Sequence, residues 1–221
     1  MRGQAQAPRF EPRWPVALAI CAVLLLLAVL PERVRLFPVW FTHAIGIVVL
    51  ASVAAVGLMA AKPPWLRVER TGVLLFFVVK GAANLATLAY LVDVMVRRSA
   101  EVGGLPLLAS STAVWVTNVL VFSLLCWQID RGGPAGRLND TGTRPDWLFP
   151  QETAPAEDVP SGWRPAFVDY LYLGYSTATA FSTTDAMPLT PRAKLLMMFE
   201  STVSLATVVV VASRAINILG N

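Results

Sequence analysis

Six hydroxyl side chains fall within nine residues at the start of the run STATAFSTTDAMPLTP, which occupies positions 176–191 between two apolar stretches. Hydroxyl and carboxylate oxygens accept hydrogen bonds and bind cations, whereas lipid offers them no partner. The run therefore has two interpretations: a polar connection between two membrane helices, or a lining along which something passes. The candidate residues of this pore-like turn are Thr177, Thr179, Ser182, Thr183, Thr184 and Asp185.

Two ionisable residues interrupt otherwise apolar segments, Lys80 in FFVVKGAANLAT and Glu200 in LLMMFESTVSLAT. A charge at the centre of a bilayer costs at least about 2.5–3.5 kcal/mol on insertion scales, so both residues need a structural or functional explanation. Each begins a polar stripe at positions i, i+4 and i+7, which share one face of a helix. The stripes are Lys80, Asn84 and Thr87 on one helix and Glu200, Ser204 and Thr207 on the other.

The two stripes are predicted to face each other or a shared cavity instead of lipid. A Lys80–Glu200 ion pair requires both helices to run in the same direction, which happens only when the segment 165–181 does not cross the membrane. Alternatively, either charge snorkels to the surface, or Glu200 is protonated. All three alternatives are open at this stage. Asp93 and Arg97, four residues apart near a helix end, are predicted to form a surface pair.

The composition places the chain in a membrane and excludes several classes of function. Apolar residues make up 56% of the 221 positions and charged residues only 14%, against about 25% charged in a soluble domain. The net charge of +4 is spread over loops, so nucleic-acid binding has no support. With one His and two separated Cys, no metal site is predicted. The sequence shows neither a nucleophile–base pair nor a phosphate loop, so an enzyme is not predicted either. No cofactor is expected.

The positions of the apolar segments predict an all-α integral membrane protein with four transmembrane helices, a re-entrant helix and turn, and a fifth transmembrane helix. The segment 165–181 carries an Asp, three Tyr and several hydroxyls, and it is shorter than the about 20 apolar residues that span a bilayer. The predicted N-terminal three-helix region covers 1–104, with helices at 15–30, 36–60 and 72–96. The predicted second region covers 105–221, with an outer helix at 105–127, a loop at 128–164, the re-entrant helix and turn at 165–192 and an inner helix at 193–219.

The second region resembles the pore module of the potassium-channel superfamily over about half the chain. That family's turn reads T-x-T-T-V-G-Y-G-D and is followed by a pattern close to x-x-P-x-T-P-x-x-K. The residues that match are Thr177, Thr179, Asp185, Pro188, Thr190, Pro191 and Lys194, and Glu200 lies where many of these channels carry an acid. The Tyr-Leu-Tyr before the turn and the Asp after it are also similar to an uncharacterised family of bacterial multi-spanning membrane proteins.

The turn departs from the potassium filter at its two glycines. Ser182 and Thr184 stand where the family has Gly, and Thr183 stands where it has Tyr. Glycines permit the backbone that points successive carbonyls at the ion, and β-branched residues do not adopt it without strain. The resemblance therefore implies a wider, wetter turn without potassium selectivity, lined by the side chains of 182–185 and supported by Thr177 and Thr179. It also implies four copies around one axis.

The leading hypothesis is an ion-conducting or ion-binding membrane protein, with the lipid bilayer, an inorganic ion and a homotetramer as its partners. The alternative is a non-conducting structural or accessory membrane subunit. The many Arg, Ala, Val and Gly residues indicate a bacterial genome rich in GC, and hence the bacterial plasma membrane. Orientation is open, because the positive-inside rule places the N-terminus and the turn in the cytoplasm, whereas the channel resemblance places the turn outside.

Overall fold

The computed structural model of the chain describes residues 11–29, 39–58, 63–97, 104–138, 143–179 and 185–219. Seven α-helices and two short strands lie in these ranges. They are α1 (Trp14–Val29), α2 (Val39–Leu58), α3 (Pro63–Arg97), α4 (Gly104–Ile129), α5 (Pro134–Leu138), β1 (Trp147–Leu148), α6 (Phe167–Thr179), β2 (Met187–Pro188) and α7 (Pro191–Leu219).

Within the described ranges, three helices are long and apolar enough to cross a membrane. The stretches that qualify are Arg67–Asp93 in α3, Leu108–Gly132 in and just after α4, and Pro191–Ser213 in α7. Shorter apolar stretches lie in α1, at Trp14–Leu26, and in α2, at Gly46–Ala55. The structure thus supports a helical membrane protein, while the number of spans and the re-entrant segment stay predictions.

Helix α4 is the centre of the bundle and packs against α1, α3, α6 and α7. Its side chains are buried without a break from Val121 to Gln128. Ring contacts join it to both long neighbours, because the Phe122 ring centroid lies 5.5 Å from that of Phe77 in α3 and 5.8 Å from that of Phe199 in α7. Helices α3 and α7 therefore run side by side along α4, and they also contact each other.

Helices α1, α3, α6 and α7 all begin at the end of the bundle where α4 ends. Arg13 before α1 binds Glu69 near the start of α3, with 3.0 Å between Nε and Oε1. The guanidinium of Arg13 also lies 5.3 Å from the centroid of the Trp127 ring, in the last turn of α4. We call this the charged end. The opposite end is where α4 begins and where α3 and α7 finish.

The structure corrects two details of the sequence-based picture. Helix α3 begins at Pro63 instead of about position 72, because Pro is suited to the first turn of a helix and the buried Glu69 carboxylate is paired with Arg13. The predicted loop 128–164 contains α5, β1 and a 3₁₀ turn at Pro150–Glu152. Strand β1 pairs antiparallel with β2, with Trp147 opposite Pro188 and Leu148 opposite Met187.

The predicted surface pair on α3 is confirmed. Arg97 Nε lies 2.8 Å from Asp93 Oδ1, and both side chains are exposed to the surroundings.

Candidate functional site

The pore-like turn is described only on its two sides. Thr177 and Thr179 end α6, and Asp185 lies just before β2, whereas Ser182, Thr183 and Thr184 lie outside the described residues. Both threonine hydroxyls donate to carbonyls of their own helix, Thr177 to Leu173 at 2.8 Å and Thr179 to Ser176 at 3.0 Å. Such bonds hold the hydroxyls against their own helix, and the supporting role in the turn stays a prediction.

Two contacts hold the segment around the turn to its surroundings. The Tyr172 hydroxyl donates to Asp185 Oδ2 over 3.3 Å, which joins the outer face of α6 to the chain beyond the turn. The Ser201 hydroxyl of α7 donates to the Thr177 carbonyl over 3.2 Å, close to where α6 ends. The Asp185 side chain is otherwise exposed, so its carboxylate is accessible from the surroundings of the chain.

All six residues of the two polar stripes are buried. Lys80 and Glu200 are each 2% exposed, and the four residues that follow them in the stripes are at most 8% exposed. Helix α4 adds buried polar side chains between the two helices, and Asn118 Nδ2 donates to Ser204 Oγ over 2.8 Å. We call this set the polar seam, and its members are Lys80, Asn84, Thr117, Asn118, Glu200 and Ser204.

Lys80 and Glu200 lie at similar depth but are not paired. Lys80 follows Phe77 by three residues and Glu200 follows Phe199 by one, so their levels along the bundle differ by about 3 Å at 1.5 Å per residue. No ion pair within 4.0 Å joins these two described residues. The direct pair that the sequence leaves open is therefore not formed, although α3 and α7 do run in the same direction.

Glu200 lies at a contact between α4, α6 and α7. A Cβ atom added to Gly174 of α6 would lie 2.4 Å from Ser123 Oγ, 3.2 Å from the Val119 carbonyl and 3.4 Å from Glu200 Oε1. The absence of a side chain at Gly174 therefore lets the α6 backbone approach both α4 and α7. Ser123 itself is fully buried and donates to the Val119 carbonyl over 2.7 Å.

Three polar atoms of the seam have no hydrogen-bond partner among the described residues. They are Glu200 Oε1, Asn84 Nδ2 and Thr117 Oγ1. A buried polar atom without a partner costs about 1–3 kcal/mol, so native proteins contain few of them. Three of the eight such atoms among the described residues lie in this seam, which can therefore take a small polar ligand, water or a proton.

A second polar cluster, at the charged end, holds α6 in place. Glu11 Oε1 accepts hydrogen bonds from Trp127 Nε1 at 2.9 Å and from the Phe167 amide, the first of α6, at 2.8 Å. Arg137 lies beside it, 3.3 Å from Glu11 Oε2, and donates to the Trp127 carbonyl over 2.5 Å. An anion at a helix N-terminus satisfies free amides and complements the helix dipole, so Glu11 stabilises the start of α6.

Asp130 and Asp146 connect the same cluster to the start of α7. Asp130 accepts from the Tyr170 hydroxyl at 2.5 Å and from the Asp146 amide at 2.7 Å. The Asp146 carboxylate in turn binds both Arg192 and Thr190, at the first turn of α7. Burial raises the pKa of the Tyr170 phenol well above its usual range, and the nearby charge of Asp130 acts in the same direction. The phenol therefore stays protonated and able to donate.

Sequence reasoning finds the stripes but misses the cluster at the charged end. The stripes repeat at helical spacing inside apolar segments, which is a local pattern. Glu11, Asp130 and Asp146 lie in polar stretches that read as solvent-exposed, and the bond between Glu11 and Phe167 joins residues 156 positions apart. The one local signal is Asp169, whose carboxylate accepts from the Ala166 amide over 2.8 Å at the start of α6.

The described segments contain no group of three His, Cys, Asp or Glu side chains placed to hold a metal ion. Comparisons with family models, with curated proteins and with solved structures found no significant match for this chain.

Proposed function

We propose that this chain is an ion-conducting or ion-binding membrane protein whose segment 165–192 enters and leaves the bilayer on one side. In this proposal α1–α4 and α7 span the membrane of a bacterium, α6 is re-entrant, and residues 182–185 form a wet, hydroxyl-lined turn without potassium selectivity. The resemblance to the potassium-channel pore module supports four copies around the pathway.

The observation that carries the proposal is that both ends of the segment lie at the charged end. The first amide of α6 binds Glu11 there, and Arg192 in the first turn of α7 binds Asp146 there. Helix α6 has 13 residues and is therefore about 20 Å long at about 1.5 Å per residue, too short to cross about 30 Å of hydrocarbon. A re-entrant pore segment must start and finish at one end of the membrane bundle, and its helix must be too short to cross the bilayer. The segment 165–192 meets both conditions.

The direction of α6 favours a cation as the ion. The C-terminal end of a helix carries a partial negative charge on its free carbonyls, and α6 ends at Thr179, immediately before the turn. Asp185 adds a carboxylate on the far side of the turn. Because both groups are negative, we expect cations to be attracted to the turn and anions to be excluded.

An apolar groove on the outer side of α4 and α6 is compatible with a second candidate, a non-conducting accessory subunit. The groove encloses about 470 Å³ and is lined in part by Trp115, Val168, Tyr172 and Tyr175. The last three side chains are more than half exposed. In the tetramer this face packs against a neighbouring copy, whereas in an accessory subunit it packs against another membrane protein.

The test is ion flux through purified protein in liposomes, measured in turn with potassium, sodium, chloride and a proton gradient. We expect cation flux that is lost in Thr183→Trp, because an indole fills a turn lined by hydroxyls. The matched control is Thr153→Trp, since Thr153 is an exposed residue of the 128–164 segment. Absence of flux from correctly assembled tetramers would refute conduction and favour the accessory subunit, and a monomer or dimer in mild detergent would refute the four-fold arrangement.

A further inference from the structure

Glu200 is a buried carboxyl group whose charge is not balanced by a described cation. Its side chain is 2% exposed, its Oε1 has no partner among the residues described, and no Lys or Arg forms an ion pair with it there. An isolated carboxylate in apolar surroundings is far less stable than a neutral acid or a carboxylate with a bound cation. The carboxyl group is therefore a place where a proton or a cation binds.

The residues around Glu200 differ in polarity between the two directions along the bundle. Towards the charged end, the buried side chains that follow along α4 are mostly apolar, with Leu124, Leu125 and Trp127. The buried polar groups beyond them, such as Asp130, belong to the cluster at that end. Away from it, polar side chains continue the seam along α4 and α7, from the Asn118–Ser204 hydrogen bond to Ser110 near the start of α4. The polar route from Glu200 thus leads to the end of the bundle where α4 begins.

The unpartnered atoms along this route can bind water and pass protons. Thr117 Oγ1 and Ser110 Oγ on α4 and Asn84 Nδ2 on α3 are buried, and none of the three has a described partner. A hydroxyl group both donates and accepts, and buried water typically bonds to groups of this kind. They lie on the side of Glu200 towards the end where α4 begins, and with bound water they can pass a proton in that direction.

We propose that Glu200 takes up and releases a proton along the polar seam within each single chain. In uptake, one proton from the solution at the end where α4 begins binds the carboxylate, forms an O–H bond and leaves a neutral acid. In release, the O–H bond breaks, the proton returns along the seam, and the electron pair stays on the carboxylate. This inference does not depend on the turn at 180–184 or on four copies.

The charged and titratable groups that face Glu200 come from each neighbouring helix. Helix α3 contributes Lys80, and α4 contributes the Cys126 thiol, which lies within electrostatic range of Glu200. Helix α6 presents its backbone at Gly174, and the nearest buried titratable group on α6, Tyr170, is bonded to Asp130. Lys80 is the only cation among these described groups, and no ion pair joins it to Glu200.

The test is infrared difference spectroscopy of the full chain in lipid, recorded over a pH titration. We expect the unaltered protein to show one pH-dependent C=O band of a protonated carboxylic acid that is missing in Glu200→Gln, whereas the bands of the other Asp and Glu residues are common to both. The control is Asp93→Asn, which removes an exposed carboxylate from α3 and should leave the band unchanged. The proposal would be overturned if both proteins show the same set of pH-dependent bands, or if the band missing from Glu200→Gln does not change with pH.

Thr117→Val provides a second test if Glu200→Gln fails to fold. It removes a buried hydroxyl of the polar seam that has no described partner, so the C=O band should respond more slowly to a pH jump than in the unaltered protein. An unchanged rate would contradict the role of the seam. Adding sodium at constant pH should leave the band intact, and its loss would show that Glu200 is a cation site instead. Thr183→Trp should preserve the titration, which separates this inference from the proposed pore.

Discussion

Gly174→Ala tests the three-helix contact that positions Glu200. The added methyl group would lie 2.4 Å from Ser123 Oγ and 3.2 Å from the Val119 carbonyl. The serine can rotate away only by giving up its own 2.7 Å bond to that carbonyl, which costs about 1 kcal/mol. The backbone carbonyl cannot rotate, so α6 must shift, and overpacking of this kind costs about 1–3 kcal/mol.

The opposing effect is the higher helix propensity of alanine. Gly→Ala in a helix interior gains up to about 1 kcal/mol, so we expect Gly174→Ala to lose about 1–3 kcal/mol in free energy of unfolding. Gly81→Ala is the matched control, because nothing lies within 4 Å of a Cβ atom at that position of α3. It should be stabilised by about 0.5–1 kcal/mol.

The measurement is denaturation of the purified chain in mixed micelles. The double variant Gly174→Ala with Ser123→Ala should recover part of the loss, because it removes the shortest contact but not the one with Val119. If Gly174→Ala is as stable as Gly81→Ala, the close approach of α4 and α6 is wrong, and the placement of Glu200 beside them is wrong as well.

Three further predictions concern the charged end, the first two measured as the free energy of unfolding in the same micelles and the third by amide exchange. Tyr170→Phe should cost about 1.5–3 kcal/mol, because it removes a hydrogen bond to the buried Asp130 carboxylate; an unchanged stability would contradict that bond. The folded-state pKa of this phenol is raised, so its contribution is complete below its unfolded-state pKa of about 10 and is lost as pH rises towards the folded value. In Tyr170→Phe this alkaline loss should be absent. Asp146→Ala should cost about 1.5–3 kcal/mol, towards the lower figure because Arg192 is more than half exposed; Arg192→Ala alone should cost less, and the reverse order would refute the assignment. Glu11→Ala should increase amide exchange at the start of α6 by removing its acceptor, whereas unchanged exchange there would show that the cap is not needed.

The helical membrane architecture and the two polar stripes could be predicted from sequence because both are local patterns. A spanning helix is predicted by comparing the length of an apolar segment with the thickness of the hydrocarbon core. A polar residue repeated at i, i+4 and i+7 occupies one face whatever the helix packs against, and Glu200, Ser204 and Thr207 are indeed all buried. The early start of α3 was not predicted, because its first turns carry charged residues. The burial of Glu69 is possible because it pairs with Arg13, which is distant in the sequence.

Local patterns in the chain predict a lipid environment, helical elements and the faces on which the polar residues lie. The packed helices were needed to show that Lys80 and Glu200 do not pair, that Gly174 brings α6 against Ser123, and that residues 156 positions apart cap α6. The difference comes from the range over which each interaction acts. Helix periodicity and apolar length act between neighbours along the chain, whereas a hydrogen bond or an ion pair depends on distances of a few ångströms that exist only after the helices pack.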